Sequence, residues 1–480
     1  ANSNYTIAFT GNTLEITPAT LTVTANHQTK IYGSADPALT YIASGFQFSD
    51  TEASVLTGML TRAPGETVSG SPYAISQGSL AANSNYTIAF TGNTLEITPA
   101  TLTVTANHQT KIYGSADPAL TYVASGFQFS DTEGSVLTGM LTRAVGETVA
   151  GSPYAISQGS LAANSNYTIA FSGNTLVITP KSASVTPNVT SKVYGSADPA
   201  LTGTLSGFLA ADGVTAAYSR TAGETVGGSP YTISAALSPA GVLSNYTITY
   251  NTANFTITAK PLTVSGAVVN SKPYDGFTSA TVDMTGAALV GVVSGDSVTL
   301  ITAGASASFP SSDVGAYSVT ILGLTLGGAD AGNYSLTNPI ASASITAWNI
   351  VGFLQPVGNP NTYATFKQNL ATAQSNPIWN TIKGGQTVPL KFQVFTGPGG
   401  TELTDVRIVK NFLLWSMSSC TPGVETPVDT TLATTGATVF RYDGTQFIQN
   451  WQTPKGAGKC YKVTLETEDG SQLSAYFKTK

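Results

Sequence analysis

Charge is scarce in this chain. Charged residues make up 10% of its 480 positions, against roughly 25% in ordinary globular domains. Histidine is almost missing: His27 and His108 occupy the same slot in two copies of a repeat. No HExxH or paired-histidine zinc site is therefore expected within a module, and both histidines read as exposed turn residues. Cysteine is limited to Cys420 and Cys460. They lie in a stretch without histidine, so they offer no Cys–His nucleophile, and no G-x-S-x-G elbow occurs. Two cysteines with nothing else to ligate beside them suggest one disulfide and an oxidising compartment, the alternative being two buried free thiols. No apolar run reaches the length that spans a bilayer, so no membrane span is expected in this chain. Nor is there a basic field: a net charge of −6 and a pI near 5.0 exclude an electrostatic grip on nucleic acid. There is no signal peptide at the start and no lipidation or sorting motif at the end. The chain opens in mid-repeat, so it is expected to be a processed form or a piece of something longer, with its targeting signals outside it.

What is present is threonine, serine, asparagine and glycine, with 21 tyrosines. That composition favours strands and turns over helices and predicts an all-β chain. The dominant signal is repetition, which sets the architecture before any local motif. YGSADPALT stands at 32–40, 113–121 and 194–202, and weakens to Tyr274-Asp275-Gly276 in a fourth copy. Asn-Tyr keeps step with it at 4–5, 85–86, 166–167, 245–246 and 333–334. Residues 19–99 and 100–180 differ at six positions, among them Pro64 against Val145 and Glu96 against Val177.

These markers divide the chain into residues 1–18, a partial repeat holding the last two strands of a module, then modules 19–99, 100–180, 181–259 and 260–347, and a domain 348–480. Within a module, Leu21-Thr22-Val23-Thr24 alternates like a strand, and Gly33-Ser34-Ala35-Asp36-Pro37 is a turn. Leu39, Tyr41 and Ile42 suggest the next strand. Ser49 with Glu52 has capping-box spacing and predicts one or two helical turns. Pro72-Tyr73-Ala74-Ile75 reads as a strand, and Asn85–Phe90 with Leu95–Thr98 as a closing hairpin around Gly92-Asn93. The same hairpin is expected of residues 5–16. Each module is thus expected to be a small Ig-like or β-grasp-like β-sandwich with at most one short helix. Thr17-Pro18-Ala19-Thr20 makes a short, stiff junction, and four modules end to end are expected to form a rod. All four Trp, both Cys and 11 of the 20 Lys and Arg follow position 347. That shift marks 348–480 as a separate β domain, with strands expected at 388–395, 439–442, 461–465 and 473–477.

Each recurrent polar residue has a plain structural reading. Asp36, Asp117 and Asp198 precede Pro in a turn, which explains them without a calcium ion. Lys30, Lys111, Lys192 and Lys272, with Glu66, Glu147 and Glu224 and a nearby Asn, could form internal isopeptide crosslinks, but their Thr/Gln-rich surroundings predict solvated lysines. Sequons at Asn4, Asn85, Asn166, Asn188, Asn245, Asn254 and Asn333 are read as Asn turns that lead a buried Tyr into a strand. Gly456-Ala457-Gly458-Lys459-Cys460 echoes a phosphate loop without its spacing and reads as a surface turn. Trp379, Trp415 and Trp451 are the candidate ligand-surface aromatics, able to stack on sugars, with a core role as the alternative.

The YGSADPALT…SNYTI repeats resemble the MBG domains (Tyr-Gly-X type) of bacterial surface proteins. Residues 260–347, with Tyr274-Asp275-Gly276, resemble the related YDG domain. The tail, with Pro389-Leu390-Lys391-Phe392, is similar to the PxKF domain of secreted bacterial proteins. The resemblance implies an exported, extracellular or cell-surface, adhesin-like or structural protein with no catalytic residues and no cofactor. The expected function is a non-enzymatic stalk, or a fibre subunit that self-associates by strand addition through residues 1–18. Its expected partners are copies of itself or a cell-surface or matrix ligand. The alternative is a glycan-binding head at 348–480 on a repeat stalk.

Overall fold

The computed structural model describes residues 3–357, 362–366, 379–417, 419–420, 425–427 and 439–480. The chain is all-β, and divides into two compact units. The first comprises Ala1–Val189, Leu201–Arg220 and Thr232–Ala253; the second Thr190–Ala200, Thr221–Tyr231 and Asn254–Lys480.

In the first unit, the first repeat contains β1 (Ala19–Ala25), β2 (Gln28–Ile31), β3 (Tyr41–Ser44), α1 (Glu52–Val55), β4 (Leu56–Thr57), β5 (Thr61–Arg62), β6 (Tyr73–Ser76), β7 (Ala81–Ala82), β8 (Tyr86–Thr91) and β9 (Asn93–Thr98). Threonine alternates with apolar residues along β1, so Leu21 and Val23 are fully buried while Thr20 and Thr22 face out. The main sheets run β3-β1-β8 and β2-β9-β6-β5. Their inner faces share one core of Leu21, Val23, Ile75, Tyr86 and Leu95, which makes the repeat a sandwich. Each such buried side chain contributes about 1.5–3 kcal/mol.

The strands expected to form the closing hairpin belong to opposite sheets. β8 runs parallel to β1, and β9 lies between β2 and β6. Gly92 is a corner where a Cβ would meet the Ile75 carbonyl at 2.8 Å, and the Asn93 amide donates to the Ala25 carbonyl at 3.1 Å. This corner also accounts for residues 5–18, which form no strand despite the expectation. Each of the two runs needs the front of its own repeat as partner, and β1 is already taken by β8. Tyr5, Ile7, Phe9, Leu14 and Ile16 accordingly stand 71–88% exposed. The helix is a single turn capped by Thr51 with Ser54, not by Ser49 with Glu52.

The second repeat reproduces both sheets, with strand orders 122–125, 100–106, 167–172 and 109–112, 174–179, 154–157, 142–143. A single residue, Pro99, separates β9 from the strand Ala100–Ala106. Further on in this unit, Lys181–Pro187 pairs antiparallel with Gly203–Ser206 and parallel with Tyr246–Tyr250. A 3-10 turn at Ala210–Asp212 stands where the first two repeats have the turn leading into their helix, with Asp212 in the place of Asp50 and Asp131.

In the second unit, Thr190–Val193 pairs in parallel with residues 255–258. Strand Lys260–Ser265 lies between Ala288–Val290 and Tyr334–Leu336. Val269, Phe309, Val319, Ile321 and Ile345 form the core of this region. Beyond Trp348 there are two larger sheets. One holds Asn349–Leu354, Thr387–Phe395 and Phe447–Gln452; the other holds Val409–Met417, Cys460–Thr467 and Ser471–Thr479. Phe353, Leu390, Phe392, Trp451, Val463 and Phe477 are fully buried in the core they share. The strand expected at 439–442 is reduced to Arg441–Tyr442.

Candidate functional site

Two constellations recur with the repeat. The first is ionic. Burial alternates along β2, so Lys30 points inward and is buried, as are Lys111 and Lys192. This corrects the expectation of solvated lysines. Lys30 Nζ donates to Asp36 Oδ1 at 2.6 Å and to Glu66, and Arg62 reaches the same two carboxylates. The second repeat repeats the arrangement with Lys111, Asp117, Glu147 and Arg143. Lys192 pairs with Asp198 at 2.7 Å and with Glu224. The Asp-Pro turn is thus held by cations of the protein itself.

This geometry brings lysine and carboxylates together, yet holds them in the wrong ionisation state for an isopeptide bond. Amide formation needs a neutral amine and a protonated carboxyl. Burial alone would push the Lys30 ammonium down, but the hydrogen bonds and charges of Asp36 and Glu66 outweigh it and hold it above its ordinary value. Arg143, then Lys111, hold Asp117 down at about 2. The intact mass of the protein is therefore expected to match the sequence with one disulfide; loss of one water per repeat (Lys with a carboxyl), or of one ammonia (Lys with an asparagine), contradicts this. Lys111→Met leaves two carboxylates short of a cation. Their side chains are 39% and 61% exposed, so water screens the defect and the expected loss is about 1–3 kcal/mol, read by thermal unfolding.

The second constellation joins one repeat to the next. Tyr32, the tyrosine of the Tyr-Gly turn, donates to Asp131 Oδ2 in the second repeat at 3.1 Å. Its ring meets Tyr167 and Phe129 edge-on, at 5.4 and 5.3 Å between centroids. Tyr167 belongs to the Asn-Tyr marker and donates to the same Asp131 oxygen at 2.7 Å, while accepting from the Gln128 amide. Beside it, Asn166 Oδ1 accepts from the Val68 amide at 3.0 Å. Tyr32, Tyr73 and Ile97 share one apolar cluster with Leu102, Val104 and Leu176 of the second repeat. The two sequence markers are halves of one joint.

The joint is made again from equivalent residues. Tyr113 donates to Asp212 and meets the Tyr246 ring at 5.4 Å, and the Val149 amide donates to Asn245. In the second unit, Tyr194 donates to Asp296 and meets Tyr334 at 5.3 Å, and the Val226 amide donates to Asn333. Tyr274 uses a variant in which its ring meets Trp348 at 5.4 Å and its carbonyl accepts from Trp348 Nε1.

Burial, and then the shared aspartate, push Tyr167, Tyr194 and Tyr246 up to about 12. An unfolded tyrosine ionises near pH 10. The stability these phenols contribute is complete below about pH 10 and is lost as pH rises to about 12. Asp117 behaves in the opposite sense: its contribution is complete above about pH 4 and is lost as pH falls towards about 2. Phenolate absorbance followed against unfolding checks the alkaline limb, which is expected to be cooperative rather than to follow free tyrosine.

The residues singled out in the tail have different fates. Cys420 and Cys460 form a disulfide. Trp451 is fully buried between the sheets, 4.9 Å from the Phe477 ring, so it is a core residue and not a ligand surface. Trp379 and Trp415 are half-buried and share a file across one sheet: Trp379 lies opposite Tyr476, Tyr476 opposite Lys462, and Lys462 opposite Trp415. His27 is an exposed residue whose Nδ1 lies 3.3 Å from Thr94 Oγ1. Among the described residues, no cluster of His, Cys, Asp and Glu could hold a metal ion, and no helix is long and apolar enough to cross a membrane.

Residues 21–96, 102–177 and 183–256 match the family model of the MBG domain (YGX type), and residues 258–343 match that of the YDG domain. The chain carries three MBG domains and one YDG domain. Both occur in surface proteins, and the Tyr-Gly pair of each MBG domain is the half-joint described above. No curated protein matches the chain. Among solved structures, it is similar to Sidekick-1 immunoglobulin domains 1–5 (10% identity, covering 92% of this chain and 90% of that one, TM-score 0.21). It is also similar to the human desmocollin-1 ectodomain (10%, 98% and 98%, 0.19) and to Yersinia pseudotuberculosis InvD (10%, 56% and 87%, 0.14).

Proposed function

We propose that the chain is a non-enzymatic, extracellular structural protein whose MBG repeats form the stalk of an adhesin-like surface molecule. The observation that carries this reading is the joint. The residues repeated most faithfully, Tyr-Gly and Asn-Tyr with its aspartate, bind the neighbouring repeat. The recurrent lysines and carboxylates close on one another. A stalk needs fixed joints and needs no reactive site. Micrographs of the purified protein test the reading: separate, elongated particles are expected, and ordered filaments would favour a fibre subunit instead. The exposed Tyr5, Ile7, Phe9, Leu14 and Ile16 supply that fibre reading with a segment able to add a strand to a neighbouring subunit.

A second reading places a glycan-binding head at residues 348–480. Its support is the file Trp379–Tyr476–Lys462–Trp415, in which the Trp379 and Tyr476 rings are 5.4 Å apart and Lys462 Nζ is 5.9 Å from the Tyr476 ring. Binding of the whole chain to a glycan array, abolished by Trp379→Ala or Trp415→Ala, is the result this reading needs. The PxKF likeness of this region rests on Pro389-Leu390-Lys391-Phe392, where Leu390 and Phe392 are core residues.

A further inference from the structure

The joint has two halves, and on the first repeat one of them is open. The socket that receives Tyr32 on the second repeat consists of Gln128, Phe129, Asp131, Asn166 and Tyr167. Its counterparts on the first repeat are Gln47, Phe48, Asp50, Asn85 and Tyr86. The internal wiring is already in place there. Tyr86 accepts from the Gln47 amide and donates to Asp50 at 2.8 Å each, as Tyr167 does with Gln128 and Asp131. Phe48 holds φ +58°, matching +53° at Phe129. An aromatic residue seldom adopts that left-handed conformation unless its surroundings impose it.

What differs is cover. Phe48 is fully exposed, whereas Phe129 packs on Tyr32. Asn85 is exposed, whereas Asn245 and Asn333, which accept from a preceding valine amide, are 3% and 6% exposed. Around these residues lies a cavity of about 460 Å³, lined by Phe48, Asp50, Asn85, Tyr86 and also Ile16–Ala19. Ala1–Pro18 repeats the sequence of Ala82–Pro99, the segment that leads from the first repeat into the second.

We infer that this face is a docking socket for the Tyr-Gly turn of a further MBG repeat joined in line, with residues 1–18 as that repeat's last two strands. The occupant is defined by chemistry seen at the filled joints: a phenol that donates to Asp50, a ring edge on Phe48 and Tyr86, and a valine amide that donates to Asn85. A second copy of this chain does not offer it, because Tyr32, Tyr113 and Tyr194 already donate to aspartates and the Tyr274 ring already packs on Trp348. The inference stands on the joint geometry and holds whether the whole protein is a stalk or a fibre subunit.

The test fuses a copy of residues 100–162 ahead of Ala1, which completes a repeat through residues 1–18. Ile42 and Ala53 distinguish the first repeat's socket peptide from those carrying Val123 and Gly134, so hydrogen exchange reads the socket separately. Exchange of Phe48–Asp50 is expected to slow by about tenfold, the worth of a hydrogen bond and its packing, while residues 5–16 gain protection. Tyr113→Ala made in the added copy should remove the effect at the socket but leave residues 5–16 protected. An unchanged socket in the fused chain overturns the inference, whether or not residues 5–16 become protected. Protection that instead appears in the original chain as its concentration rises also overturns it, in favour of self-association through this face.

Discussion

Tyr32→Ala releases the first repeat from the second. The ring is 7% exposed and lies in the cluster that continues into Leu102 and Val104. Removing a buried aromatic side chain costs about 3–5 kcal/mol, and here the loss falls on a joint rather than on a sandwich core. The expected result is a chain in which both sandwiches still fold while the stability gained from their contact disappears. Calorimetry should show a new, lower transition, with the remaining transitions in place. Tyr32→Phe keeps the ring and loses only the hydrogen bond to Asp131, and should cost about 1 kcal/mol. Equal effects of the two substitutions would mean that the hydroxyl, and not the ring, holds the joint.

The second large effect is expected in the tail. Reducing the disulfide, or replacing Cys420 and Cys460 with serine and alanine, opens a loop of 40 residues. Chain entropy puts that at about 4 kcal/mol in the unfolded state. Cys460 is buried beside Met417 and Tyr476, so the alanine there also loses contacts. The melting temperature of the C-terminal domain should fall on treatment with a reductant, while the MBG transitions stay where they are. A reductant that shifts every transition alike would show that the tail and the repeats unfold as one.

The sequence made the architecture legible because the repeat is long and its threonine–apolar alternation is strict. Leu21, Val23, Leu102 and Val104 could each be assigned to the core face from period two alone. The partners of the strands were less accessible. Gly92-Asn93 has the composition of a hairpin turn, and only the close approach of the Ile75 carbonyl shows that it is a corner between sheets. Lys30 was misplaced for a related reason. Its neighbours Gln28, Thr29 and Ile31 say nothing of Asp36 and Glu66, which satisfy the buried amine from elsewhere in the repeat. Asp50 and Asp131 stand beside a predicted helical turn, and nothing next to them in the chain marks a joint. Their partners Tyr86 and Tyr167 lie 36 residues away, and Tyr32 reaches Asp131 across 99. A signal for the joint was nonetheless present. Tyr-Gly and Asn-Tyr recur in step, and two markers that keep a fixed phase invite the question of whether they meet.

The most direct test of that meeting is hydrogen exchange at one amide. The peptides around Val68, Val149 and Val226 are distinguishable because Ser69, Ala150 and Gly227 follow them. Asn245→Ala removes the acceptor of the Val149 amide, 96 residues away and in the following repeat. The joint predicts that Val149 exchanges faster in this variant while Val68 and Val226 keep their protection. Unchanged exchange at Val149, or equal loosening at all three, would contradict it.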